Sequence, residues 1–261
     1  MFDPRVAVAS LSGESDAEWA RHAVPHVGAA FLGGVALDEP AQEAARALVA
    51  RGRSEFLTDD PLAFVEEQLV ALADTDVFAA VNVRSTTVDP IRDVAALCAD
   101  HDAGVEINAH CRQDELCAVG CGETLLRDTD RLVEYVTTAA DSEAPVGVKV
   151  RAEVGGVLLS ELAPRLAAAG ASWIHVDAMD TESVVADVVA AAPDLFVVAN
   201  NGVRGRETAH EYLRYGADAV SVGRPSDDPV VLRRVRAAVD EWFDGDATDP
   251  SRDAGREVPH R

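Results

Sequence analysis

Gly104–Leu126, GVEINAHCRQDELCAVGCGETLL, is the stretch whose reading decides the fold. Val105 and Ile107 alternate with Glu106 and Asn108, the period of a strand with one apolar face. The strand opens into a loop carrying His110, Cys111, Arg112 and Gln113, and the chain resumes through Gly120 and Gly122 into a helix. A strand ending in Asn, then a thiol, then glycines that let backbone approach a ligand, reads as a site at the mouth of an α/β barrel. A buried structural cysteine in an ordinary loop is the competing reading.

Working outward, eight strand–helix pairs are predicted. The strands are Val6–Ala9, Val27–Leu32 (ending in Gly33 and Gly34), Val77–Arg84, the central strand, Val146–Arg151, Trp173–Asp177, Leu195–Asn200 and Ala219–Gly223. Between them lie helical patterns, with Pro90 in the first turn of one and glycines such as Gly170 and Gly216 closing others. Alternating βα units imply a parallel sheet, and eight imply closure, so the predicted fold is α/β, a single-domain (β/α)8 TIM barrel over residues 1–244. Residues 245–261 are polar, Asp/Arg-rich and expected to be a disordered tail.

A chain of 261 residues, 48% apolar, suits one such domain. It has no apolar run long enough to span a membrane and no signal-peptide pattern at its start, which implies a soluble protein with the cytoplasm as default. The net charge is −23, and the cations are 22 Arg and one Lys, Lys149. Acidic excess with lysine nearly eliminated reads as adaptation to high salt, where screening mutes self-repulsion. The lone lysine is therefore conspicuous. Cys98, Cys111, Cys117 and Cys121 match no common metal-ligand spacing, so free thiols and no metal are expected, with Cys98 in the core.

The strand period gathers polar residues on one face of four consecutive strands. Asn82 and Arg84 oppose Val81 and Val83; Glu106 and Asn108 oppose Val105 and Ile107; Lys149 and Arg151 oppose Val148 and Val150; His175 and Asp177 oppose Ile174 and Val176. A purely structural barrel fills such interior positions with branched aliphatics, so this ring points to a ligand. The last two strands end in NNGVRG and VSVGRP. There Asn201, Gly202, Gly223 and Arg224 read as a phosphate cradle, Arg224 adding a charge with bidentate geometry.

These residues resemble the tRNA-dihydrouridine synthases and their flavin-barrel relatives, the dihydroorotate and dihydropyrimidine dehydrogenases, from about Val77 to Arg236. INAHCRQDELCAVGCGETLL follows the family's Asn-x-Gly-Cys-Pro motif, which places Cys111 at the catalytic cysteine. PVGVKVR is similar to its Pro-Val-x-x-Lys-x-Arg strand, with Lys149 at the flavin-contacting lysine; WIHVD sets His175 at its histidine. ANNG and VGRP resemble its phosphate loops, and Asn82 falls where a flavin-binding Gln is usual. His110 and Arg112 depart from the motif by replacing Gly and Pro, VASLSG stands in place of Ala-Pro-Met, and the sequence stops short of the family's C-terminal tRNA-gripping domain.

The resemblance implies a compact, divergent FMN enzyme that reduces the 5,6 double bond of a uracil-type pyrimidine, a tRNA uridine or a related base. Cys111 and Lys149 would be catalytic. Asn82, Asn108, Lys149, His175, Asn201, Gly202, Gly223 and Arg224 would bind the cofactor, and reduced nicotinamide or another donor would supply electrons. His110 and Arg112 would tune the Cys111 thiol. Two alternatives stay open: a small-molecule flavin reductase or dehydrogenase acting on a free ring, and a non-catalytic barrel binding a phosphorylated ligand.

Overall fold

The computed structural model of the chain describes residues 1–246. The tail expected over 245–261 falls outside them from residue 247 onward, while Gly245 and Asp246 continue the last helix. The elements follow in order: β1 Val6–Val8, α1 Ala17–Ala23, β2 Ala29–Ala36, α2 Glu39–Ala50, α3 Pro61–Val70, β3 Phe78–Arg84, α4 Asp89–Asp100 and β4 Gly104–Ala109. Then come the short helices α5 Asp114–Ala118 and α6 Glu123–Arg127, followed by α7 Thr129–Ala140 and β5 Val146–Arg151. The chain closes with α8 Leu159–Ala168, β6 Trp173–Asp177, α9 Val184–Ala191, β7 Phe196–Asn200, α10 Arg206–Arg214, β8 Ala219–Val222 and α11 Pro229–Asp246. The strands pair in sequence order, β8 returning to β1, and form a closed parallel barrel. Among the described residues no helix is long and apolar enough to cross a membrane.

Local chemistry sets the helix starts. Asp16, Asp38, Asp60 and Asp128 each accept a hydrogen bond from a first-turn backbone N–H of α1, α2, α3 and α7, caps worth about 1 kcal/mol apiece. Outward strand positions are branched aliphatics. Val81, Val83, Val105, Ile107, Val148, Val150, Ile174 and Val176 are sealed under the helices, and each such side chain contributes about 1.5–3 kcal/mol by leaving water.

Inward, the barrel changes character with height. Ala7, Ala29, Phe31, Ala80, Trp173, Val198 and Ala219 form an apolar plug at the lower end, against which Phe2, Phe78 and Phe196 pack. Gly147 makes room for that plug: a Cβ there would meet Trp173 Cε2 at 1.8 Å. Above the plug the inward residues turn polar.

Two local expectations need correction. β2 does not end at its glycines but runs on to Ala36, with a register shift against β3 between Gly33 and Val35. Gly33 has φ +95°, and a Cβ would come within 2.5 Å of Asn82 O, so the pair allows close strand approach rather than stopping the strand. In the stretch after β4, the chain coils into α5 and α6 before the long helix. Gly122, at φ +59°, lies where a Cβ would strike Cys111 O at 2.0 Å, which folds the Cys111 loop tightly back on itself.

Candidate active site

The polar ring predicted from strand period is present, and it consists of two layers with different bonding. The lower layer centres on Glu106, which is wholly buried. Its Oε1 accepts from Asn82 Nδ2 at 2.8 Å, and its Oε2 accepts from Trp173 Nε1 at 3.3 Å and faces His175 Nδ1 at 2.8 Å. The other ring nitrogen, Nε2, lies 2.7 Å from Ser221 Oγ, which also accepts from Asn200 Nδ2 at 2.7 Å. Since a carboxylate can only accept, Nδ1 carries the His175 proton and Ser221 donates to Nε2. Burial keeps the His175 ring below its ordinary pKa and thus neutral. Burial would raise the Glu106 carboxyl, but the His175 ring, the Lys149 ammonium and the Asn82 amide together hold it below the carboxylate range.

Asn82 links this layer to the one above. Its Oδ1 accepts from Asn108 Nδ2 at 2.8 Å, and Asn108 Oδ1 in turn accepts from the backbone N–H groups of His110, at 3.2 Å, and Cys111, at 3.1 Å. Asn108 thus sets the path of the chain as it leaves β4. The predicted cofactor contacts Asn82, Asn108 and His175 all face the barrel interior, yet each spends polar atoms on the protein. His175 has both nitrogens committed and 0% exposure, so it stands beneath the mouth and not at its surface. Asp177, one strand period later on β6, takes the rim position.

The upper layer is sparer. Lys149 is 3% exposed, and its Nζ makes one long hydrogen bond, to Ser10 Oγ at 3.3 Å. Among the described residues it forms no ion pair. Burial lowers its pKa, against the attraction of Glu106 and Asp177. Beside it, His110 Nε2 meets Asp177 Oδ2 at 2.8 Å. Arg84, at the end of β3, pairs with Glu55 at 2.5 Å with both side chains buried, and also bonds Ser12, while its Nε has no partner. Arg151 reaches Glu123 at 3.5 Å and Met179 Sδ at 3.0 Å.

Cys111 is half-buried at this mouth and packs toward the cluster of Ala36, Ala41, Leu48, Leu116 and Cys121 between α2 and α5. Cys117 donates weakly to Cys111 O at 3.5 Å, and Cys121 is sealed, its thiol pushed up to about 12 by burial. Cys98 lies in the core, likewise pushed up to about 12. Among the described residues no three His, Cys, Asp or Glu side chains are grouped to hold a metal.

The β7 and β8 loops stand at the same end of the barrel. Asn201, at φ +96°, ties the β6 loop by donating to Met179 O at 2.7 Å. A Cβ on Gly202 or Gly223 would meet nothing within 4 Å, so both backbones border open space. Arg224 is exposed at the start of a short 3-10 turn, and its guanidinium has no partner among the described residues. Sequence reasoning overlooked Ser10, Ser221 and Asn200. Ser221 was accessible to it, as the inward residue one period below Gly223; Ser10 was not, because its contact with Lys149 spans the barrel.

A family profile described as dihydrouridine synthase matches residues 63–251, most of the chain and every strand of the polar ring. The chain belongs to the dihydrouridine synthase family. Membership places it among flavin-dependent TIM-barrel oxidoreductases. It is 28% identical over 236 residues to a protein of Methanocaldococcus jannaschii described as uncharacterized, covering 85% of this chain and 89% of that one. The fold is shared with ligand-free DHODH from Eimeria tenella, at TM-score 0.67 and 14% identity over 91% of this chain and 84% of that one. A chain of the tryptophan synthase complex from Pyrococcus furiosus is also similar, at TM-score 0.55 and 12% identity over 92% and 97%. At such identities the likeness is one of fold, and for this member of the synthase family the chemistry is to be sought in its own mouth residues.

Proposed function

We propose that this protein is an FMN-dependent oxidoreductase that reduces the 5,6 double bond of a uracil-type pyrimidine, in tRNA or as a related free base, with electrons from reduced nicotinamide or another donor. The observation that carries the reading is the Lys149 ammonium. It has three donors, one long hydrogen bond and almost no solvent. Desolvating an ammonium is costly, so a buried lysine left this short of partners is suited to an electron-rich or anionic ligand. Family membership and the open backbone at Gly202 and Gly223 beside Arg224 support a ligand with one terminal phosphate. No Gly-x-Gly-x-x-Gly turn follows an early strand, which favours a mononucleotide over a dinucleotide.

When bound, FMN would supply hydride transfer. The chain's own residues would do the rest. Lys149 would hold the cofactor's electron-rich edge, with Gly202, Gly223 and Arg224 around its phosphate. Asn108, fixed by Asn82 and through it by Glu106, sets the Cys111 loop. From that loop Cys111 would present a thiol proton to carbon 5 of the substrate ring.

Denaturing the purified protein should release FMN in near-equimolar amount; FAD, or no flavin even after reconstitution in high salt, would sink the reading. Cys111→Ala should lower turnover by about two to four orders of magnitude at unchanged flavin content. Cys117→Ala and Cys121→Ala should keep most activity. Mass spectrometry of tRNA from a deletion strain separates a tRNA substrate from a free ring: a dihydrouridine that disappears with the gene supports the first, and an unaltered tRNA complement supports the second.

A further inference from the structure

His110 departs from the family's usual glycine, and its side chain does something a loop residue need not do. It follows β4, yet its ring bonds Asp177 at the end of β6, with β5 lying between those two strands. Adjacent strands are about 4.8 Å apart, so the imidazole reaches across the β5 end, where Lys149 and Arg151 point inward. Both of these cations act on the His110 ring, as does the Asp177 carboxylate; Arg151 is in turn paired with Glu123.

The hydrogen bonding fixes the state of the ring. Asp177 accepts from the Met179 N–H at 3.3 Å through Oδ1, which leaves Oδ2 to accept from His110 Nε2–H. Burial alone would raise the Asp177 carboxyl, but the His110 bond and the nearby Lys149 charge keep it below its ordinary range and ionised. The proton therefore resides on Nε2, and Nδ1 is left with its lone pair. Nδ1 has no partner among the described residues and is not sealed from solvent. The His110 side chain is 28% exposed, against 13% for Asp177. A carboxylate that orients an imidazole and leaves its far nitrogen open at a cleft is an acid–base arrangement.

We propose that His110, oriented by Asp177, is the proton relay of the mouth, carrying protons between solvent and the ring-reducing site. This rests on the reductase reading above. In each turnover one proton passes from water to Nδ1, giving an imidazolium stabilised by the Asp177 carboxylate. The same proton then passes from Nδ1 to the Cys111 thiolate left when the thiol has given its proton to the substrate carbon, and the imidazole returns to its starting state with no electron moved. Because burial holds the ring below its ordinary pKa, the imidazolium form is scarce at neutral pH and gives up its proton readily. Proton delivery thus weakens as pH rises through that pKa. Removing the Asp177 charge lowers the pKa further and moves this limb to lower pH.

The test uses the full chain loaded with FMN, reduced nicotinamide as electron source, and two ring probes, an unmodified tRNA transcript and uridine 5′-monophosphate. His110→Ala should lose about two to four orders of magnitude in turnover at unchanged FMN content. Added imidazole should recover part of it, whereas Cys111→Ala should not respond. Asp177→Asn should shift the pH profile downward. In ¹⁵N-histidine spectra His110 should be protonated at Nε2. Parental turnover in both His110→Ala and His110→Gln, a loss without imidazole recovery, or an Nδ1-protonated ring would overturn the relay. If the parent reduces neither probe, the ring-reduction reading fails on its own. The relay is then judged by the spectra: a His110 Nδ1 signal unmoved by both FMN and uridine 5′-monophosphate overturns it, and one that moves supports its place at the ligand.

Discussion

Glu106 and Lys149 face the same barrel interior from adjacent strands, and both are charged and almost completely buried. Their surroundings differ. The Glu106 oxygens are met by Asn82, Trp173 and His175, and the network continues to Ser221 and Asn200. The Lys149 ammonium has one long bond. A polar interior is therefore not by itself the mark of a ligand site. The Glu106 layer satisfies its own hydrogen bonds and reads as structure; the Lys149 layer is short of acceptors and reads as a place for a ligand.

Removing the Glu106 charge is the strongest way to probe this contrast. Glu106→Ala leaves the His175, Trp173 and Asn82 donors buried without their acceptor, and each orphaned donor costs about 1–3 kcal/mol. Chemical denaturation in high salt measures it, with Glu106→Gln as the milder control. A loss under about 1 kcal/mol would mean the layer does not hold the barrel together.

Gly147→Ala tests the apolar plug below both layers. Its Cβ would collide with the Trp173 indole, so overpacking should cost about 1–3 kcal/mol. Flavin affinity in the folded fraction, read by fluorescence titration, should be unaffected. A large loss of flavin affinity would show that plug and mouth are coupled.

Lys149→Met should do the opposite. Loss of an under-partnered buried ammonium should leave Tm unchanged or raised, while FMN affinity falls at least tenfold, about 1.4 kcal/mol. Lower Tm with unaltered FMN binding would reverse the assignment and make Lys149 structural.

The smallest effect is that of pH. His175 and His110 have folded pKa values below the ordinary histidine value, so the unfolded chain binds more protons. Their contribution to stability is present above the unfolded pKa, about 6.5, and is lost as pH falls below it. Glu106 and Asp177, held low, lose theirs at still lower pH. Stability, and with it Tm, should therefore fall modestly from pH 7 to pH 5. A flat profile, measured by calorimetry at constant salt, would mean these rings are already charged in the fold.

Much of the architecture is legible in the sequence. Strand period alone identified Asn82, Glu106, Lys149 and His175 as inward and Val81, Ile107, Val148 and Ile174 as outward, because a residue's side of a strand depends only on its parity. The βα alternation led to the closed barrel for a similar reason: a parallel pair of strands needs a crossover, and each predicted helix supplied one. Local signals failed where glycine served close packing. Gly33 and Gly34 read as a strand end, and only the nearness of Asn82 O explains why the strand continues through them.

The sequence by itself determined which residues line the barrel and at which end, since periodicity and element order are local properties. Only the tertiary structure decided how those residues divide the work. His175 bonds Glu106 and Ser221 across 69 and 46 residues, and Lys149 finds Ser10 across 139. Such pairings depend on the register of every strand between and on closure of β8 against β1. Alternation tells a side chain to face inward, but it cannot say which neighbours meet it there, nor whether they leave it satisfied.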